Sequence, residues 1–569
     1  METRSWLALL VFVASLTPAA AQAAPATGRA GFSVVEAGIL EMQAALKARR
    51  VTSKELVSQY LFRIAAYEDK LHAALTVNPH ALEEAAVLDR ERAQGRLRGP
   101  LHGIPIALKD NIHTTGMPTT GGALAFDGLV PPYEATLAKN LRAAGAIIIA
   151  KTQMTELANW VAGPPTPMPG NYNGLGGYGF NPYDPRRDPR EGFFDGRPAM
   201  LTGGSSSGAG TSANFWVANI GTETSGSILN PANWMMLVGI KPTVGRVSRY
   251  GVIPITADQD TPGPMAKSVT DAAILLGILE GAAPDPNDAA TANCARPPRN
   301  DYTQYLSANA LKGARIGIPR AFFYDPVLMP SGELRGGLNP EQLQAMEEAI
   351  LVLRDKGAVI VDPANIPSVL DPDPTNNFLN FGICGAGFNN GAGGSCSIVL
   401  EYGMKRDFNA WLASLGSQAP VTTLTELREW NEAHVMAGAI KYGQSTLDAS
   451  DALDLAGDRA RYEADRAKDI RLTATHGIDE AMKTQNLDAL LFPAQTGAAL
   501  AARPGYPTVI VPFAKVPNAP DPPFPDGFDA KPAPFGVSFT GMACSEPKLL
   551  GLAFAFEQAT KRRVPPPLP

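Results

Sequence analysis

Cysteine, histidine and charge are all scarce in this chain. Only 4 cysteines and 6 histidines occur in 569 residues, with no C-x-x-C or H-E-x-x-H spacing among them. The sequence therefore offers no metal site and implies no cofactor. Charged residues make up 18%, 55 acidic against 49 basic, for a formal net charge of −6. A surface of that sign repels phosphate backbones and argues against nucleic acid as a partner. Aromatic residues reach only 7%, yet 45% of the chain is apolar, which rules out a mainly disordered protein. Membrane-length hydrophobic runs are also missing. The apolar run at residues 6–16 falls short of the roughly 20 residues that span a bilayer. The 55 glycines and 50 prolines are plentiful but not periodic, so collagen and simple repeats are excluded.

The N-terminus reads Met-Glu-Thr-Arg, then that apolar run, then Ala21-Gln22-Ala23. A short charged start, an apolar stretch and an A-x-A site resemble a secretory signal peptide. The expectation is a signal over residues 1–23 and a mature protein, 24–569, that is secreted or periplasmic and has no membrane contact beyond the signal. In an oxidising compartment Cys384 and Cys396, twelve residues apart in a Gly-rich stretch, can pair; Cys294 and Cys544, far apart in sequence, are read as free.

Apolar spacing predicts helices over 34–47, 52 onward (with Thr52 and Glu55 as a capping box), 79–94, 136–144, 268–280, 340–356 and 546–560. Strands are predicted at 104–108, 146–150, 314–318, 358–361, 490–492, 508–513 and 535–540. The runs at 146–150 and 358–361 do not alternate with polar residues, as expected of strands buried on both faces. Between 397 and 486 strands give way to helices, at 424–437 and 448–473, as an outer layer or cap. No linker interrupts the chain, so one large α/β/α unit is expected. Two long Pro- and Gly-rich segments, 163–204 and 517–534, carry no period; loops of that length inside a compact domain are often functional.

The densest signal is G-G-S-S-S-G-A-G from Gly203 and G-T-E-T-S-G-S-I-L-N-P from Gly221. Without a Lys-Ser/Thr ending this is no P-loop. A Gly/Ser backbone can instead aim several N–H groups at one point beside a nucleophilic serine. No histidine lies nearby to serve as base. Lys109, in G-I-P-I-A-L-K-D-N-I, ends an apolar strand, where burial disfavours the ammonium form and sites of α/β sheets gather. Alone, a lysine after a strand is most often an ordinary surface amine; beside the Ser-rich segments it is a candidate base.

Taken together these blocks, with G-I-K-P-T-V-G-R-V-S-R-Y-G-V-I-P and D-Q-D-T-P-G-P-M-A-K-S-V-T-D-A-A after them, resemble the amidase signature family over most of residues 34–564. The G-T-E-T segment is closer to the secreted peptide-amidase branch than to tRNA-dependent amidotransferase subunits. The resemblance implies a single α/β/α sandwich with a mixed central sheet and a Ser–Ser–Lys amidohydrolase without cofactor. Lys109 matches the base. Ser205 matches the bridging serine, which in the family follows a rare cis peptide, and Ser227 matches the nucleophile. The backbone N–H groups of Thr224, Ser225, Gly226 and Ser227 match the oxyanion hole.

The chain departs from the family pattern in places. Ser205 and Ser227 are 22 positions apart, about two fewer than the family's spacing, so residues 211–220 must shorten a helix or turn and Ser206 or Ser207 compete for the bridging role. Position 225 is Ser where Gly or Asp is usual, and Leu229 replaces an Arg that would partner Glu223. The expected activity is hydrolysis of small-molecule or peptide amides by a monomer or homodimer. The alternatives are an inactive amidase-fold binding protein and an amidotransferase-type subunit.

Overall fold

The computed structural model describes residues 31–329, 332–385 and 396–568. The expected signal peptide lies outside the described residues, as does the interior of the loop between Cys384 and Cys396.

Local signals set most of the helices. The Thr52 hydroxyl accepts from Glu55 N at 3.1 Å while the Glu55 carboxylate receives Thr52 N at 2.7 Å, so the capping box starts the helix Ser53–Leu71 as expected. Ser268 caps Val269–Glu280 by accepting from Asp271 N at 3.1 Å, and Asn339 with Pro340 opens Pro340–Asp355.

Eleven strands form one sheet: β1 (Ala74–Val77), β2 (Pro105–Lys109), β3 (Ile147–Thr152), β4 (Ala218–Glu223), β5 (Val238–Lys241), β6 (Thr261–Ala266), β7 (Arg315–Gly317), β8 (Val359–Val361), β9 (Ala489–Pro493), β10 (Thr508–Val516) and β11 (Ala533–Thr540). Their order in space is β1-β3-β2-β4-β6-β5-β10-β11-β9-β7-β8. Strands β3, β2 and β4 run parallel, as do β9, β7 and β8, while the pairs from β4 across to β9 are antiparallel. Helices pack on this sheet, among them Ala81–Ala93 on β3, Val269–Glu280 on β6 and Glu546–Thr560 on β10 and β11. The result is the single α/β/α sandwich with a mixed central sheet.

Several expectations need correction. Strand β3 is buried throughout, but β8, predicted to be buried on both faces, is the sheet edge and stays half exposed. Strand β6, absent from the sequence-based expectation, is central and carries Pro262 and Pro264. These prolines are two apart, so their nitrogens turn to the same edge, and the ladder to β5 is confined to Met265 and Ala266. The single helix expected over 448–473 is broken into Ser445–Asp451 and Arg459–Ile470. Asp454 turns the chain between them, accepting Ala456 N while its own N–H meets the Asp458 carboxylate. All four cysteines are bonded: Cys384 to Cys396, and Cys294 to Cys544. The latter two are not free, because the fold lays the segment before the last helix beside residue 294, where Cys544 N donates to Thr243 Oγ1 at 2.9 Å.

Candidate active site

Strands β2 and β4 lie side by side and parallel, with Leu108 opposite Ile220. Their C-terminal ends therefore deliver Lys109 and residues 222–227 to the same place, as ligand sites of parallel sheets require. Lys109 is wholly buried; its Nζ lies 2.7 Å from Ser205 Oγ, 2.9 Å from Thr222 Oγ1 and 3.3 Å from Thr222 O. Burial in this polar but uncharged nest lowers its pKa from 10.5 to about 7, with Asp260 and Glu223 pulling the other way at longer range. Asp110 is turned aside, to Lys151 at 3.2 Å and to Thr120 N at 3.0 Å.

The competition among the three serines is resolved by geometry. Only Ser205 meets Lys109. Ser206 Oγ donates to Thr222 O at 3.0 Å and accepts from Thr222 N at 3.2 Å, tying the loop to β4, while Ser207 Oγ caps Ala209 N at 3.4 Å. The helix after these serines is only one turn long, Ala209–Ser212, and the expected shortening lay over 211–220. The cis peptide that the resemblance implied before Ser205 is absent; among the described residues every cis bond precedes a proline. The turn into Ser205 is made by Gly203 in the left-handed region, φ 87°, where a Cβ would collide with the backbone of Pro231. At Gly204 a Cβ would sit 2.9 Å from Ser227 Cα, so glycine lets the segment before Ser205 press against the Ser227 backbone.

Ser227 is 9% exposed and lines a cavity of about 700 Å³ together with Ser205, Thr224, Ser225 and Gly226. Among the described residues the N–H groups of positions 224–227 meet no protein acceptor, which leaves them free to bind an oxyanion. Residues to which the motif reading gave no catalytic role hold this turn in place. Asp260 accepts from Thr224 Oγ1, from Ile255 N at 2.8 Å and from Thr256 N at 3.0 Å; burial raises its pKa to about 6. Gln259 donates to Thr224 O at 3.1 Å. Asn111 donates to Thr222 Oγ1 at 3.0 Å. Glu223, lacking the arginine of the family pattern, receives Ile228 N and Leu229 N at 2.8 and 2.9 Å and anchors the start of the helix Leu229–Trp234. Their signals were present in K-D-N, G-T-E-T and D-Q-D-T, but nothing in one sequence separates such supports from spacers.

Known proteins resemble this chain over most of its length. The family described as Amidase matches residues 55–550. A probable amidase of Arabidopsis thaliana is 33% identical over 542 residues, 94% of this chain and 92% of that protein. A glutamyl-tRNA(Gln) amidotransferase component of Thermosynechococcus vestitus is 32% identical over 543 residues, 92% of this chain and 98% of that one. The crystal structure of native peptide amidase from Stenotrophomonas maltophilia superimposes with a TM-score of 0.77 at 35% identity, covering 93% of this chain and 98% of the other. The chain belongs to the Amidase family of amide-hydrolysing enzymes.

Proposed function

We propose that the protein is an exported serine-type amidase that hydrolyses carboxamide C–N bonds through an acyl-enzyme on Ser227, with Ser205 and Lys109 as proton relay. The observation that carries this reading is the 2.7 Å contact between Ser205 Oγ and a buried lysine whose pKa is about 7. Neutral Lys109 takes the Ser205 proton as Ser205 takes that of Ser227, and Ser227 Oγ bonds to the amide carbon. The N–H groups of Thr224, Ser225, Gly226 and Ser227 bind the oxyanion. Collapse breaks the C–N bond and the amine leaves with the proton returned along the relay. Water then attacks the ester by the same path and releases the acid. Both disulfides suit an oxidising compartment and so support export. The peptide amidase neighbour supports peptide or small-molecule amides as substrates.

The test is labelling of the mature protein with a fluorophosphonate, followed by peptide mapping. Labelling at Ser227, and loss of both label and amide hydrolysis in Ser227→Ala with an unchanged melting temperature, is the expected result. Full turnover in Ser227→Ala sinks the assignment. The amidotransferase relative offers a second reading, in which ammonia is passed to a partner protein. Export argues against it, since aminoacyl-tRNA is not secreted, and ammonia or amine release by the isolated chain decides between them.

A further inference from the structure

Two cavities meet beside the nucleophile. The first, holding Ser205 and residues 224–227, has an apolar wall of Trp160, Met168, Phe322, Phe323 and Leu379. The second, about 760 Å³, holds none of the Ser–Ser–Lys group and is walled by the two Pro- and Gly-rich loops, 163–204 and 517–534. Those loops are locked together: Arg190 donates to Pro522 O at 2.8 Å, Arg186 to Asp529 O at 2.7 Å, and Asn518 to Ala199 O at 3.2 Å. The arginines on this wall are already neutralised, Arg190 by Asp188 and Arg197 by Asp195, each at 2.6 Å. Among the described residues the wall keeps one charge without an ion-pair partner, the Asp521 carboxylate, and each cavity is large enough for a drug-sized group.

Asn159, Gly204, Asn230, Gln495 and Thr496 line both cavities and so form the neck between them. Asn230 Oδ1 and Gln495 Oε1 are closed off from solvent beside it with no hydrogen-bond partner, so a rotation of either side chain is needed to present them to a ligand. An unpaired buried carbonyl is costly in the free protein, and two at one neck point to a ligand that supplies N–H donors. An enzyme that released only ammonia would need neither a second cavity nor acceptors leading into it.

We propose that the preferred substrates are N-substituted amides whose acyl group lies in the cavity that holds Ser227 and whose amine portion fills the loop-walled one. Asn230 and Gln495 receive the scissile N–H and the next N–H of the amine portion. This rests on the acyl-enzyme reading: the bond broken is the C–N bond at the neck, and the departing amine carries the relay's proton out through the second cavity.

The experiment uses the mature protein and three substrates that share one acyl group: phenylacetamide, N-methylphenylacetamide and phenylacetyl-glycyl-glycinamide. Phenylacetate release from the last at a kcat/KM at least tenfold above that of phenylacetamide is expected. Release of ammonia alone from the last, or a preference for phenylacetamide, overturns the proposal while leaving the amidase reading intact. No hydrolysis of any of them, with no fluorophosphonate label on Ser227, overturns both. Gln495→Leu removes an orphaned acceptor at similar volume. It should lower the ratio of extended to primary amide about tenfold, chiefly through KM, without lowering the melting temperature. Phe193→Ala, on the loop wall, should lower the same ratio, and an unchanged ratio in both variants refutes the assignment of the second cavity to the amine portion.

Discussion

In the proposed relay, burial fits Lys109 for the role of base. With its pKa near 7, the neutral base forms as pH rises, so kcat/KM should climb through about pH 7 and level off above it. The rate at pH 6 should be about a tenth of the plateau. Lys109→Ala should remove this limb as well as most of the rate, and a limb that survives in the variant shows that another base operates. The same shift acts on stability. The unfolded chain holds the Lys109 proton up to 10.5 whereas the folded chain gives it up near 7, so between those values the unfolded state binds more protons and stability rises with pH. The difference in melting temperature between Lys109→Met and the parent should therefore drift in the parent's favour from pH 7 to pH 10; a constant difference contradicts the shifted pKa. The two neighbouring serines should separate cleanly. Ser205→Ala should cost about 100-fold or more in kcat. Ser206→Ala, which loses bonds to Thr222, should chiefly cost about 1–2 kcal/mol of stability, read from denaturant titration.

The turn between β4 and the helix Leu229–Trp234 depends on a carboxylate rather than on helix propensity. That helix is six residues long and includes Pro231, too short to stand alone, and Glu223 binds its first N–H groups. Glu223→Gln keeps one acceptor but removes the charge. It should cost about 1–3 kcal/mol in unfolding free energy and lower kcat more than it raises KM, since the N–H groups proposed to bind the oxyanion sit on the same turn. It should also move the pH limb to lower pH, because Glu223 is one of the two carboxylates that raise the Lys109 pKa. A limb left in place separates the structural role of Glu223 from any electrostatic one.

At the scale of the whole chain, Cys294–Cys544 links positions 250 residues apart. Chain-entropy reasoning puts the worth of so long a closed loop on the order of 5 kcal/mol. Cys294→Ser should lower the melting temperature far more than Cys384→Ser, whose bridge closes a span of only 12 residues. Equal effects would show that native-state strain or residual denatured structure outweighs loop entropy.

The apolar runs around Lys109 and at β3, the cap at Thr52, and the Gly/Ser blocks at 203–208 and 221–227 made the layered fold and the chemical groups legible, because each is a local pattern with a local cause. What the sequence could not decide is long-range. Whether Ser205 or Ser206 meets the lysine depends on how the serine loop is tied to β4 through Thr222. That β6 is a central strand despite two prolines depends on which edge its neighbours need. Cys294 finds Cys544 because the sheet brings the last helix back across the molecule. The neck at Asn230 and Gln495 exists only where two segments 265 positions apart meet. Such contacts are fixed by packing of the whole sheet, whose energy is shared among strands distant in sequence, so no local window of residues records them.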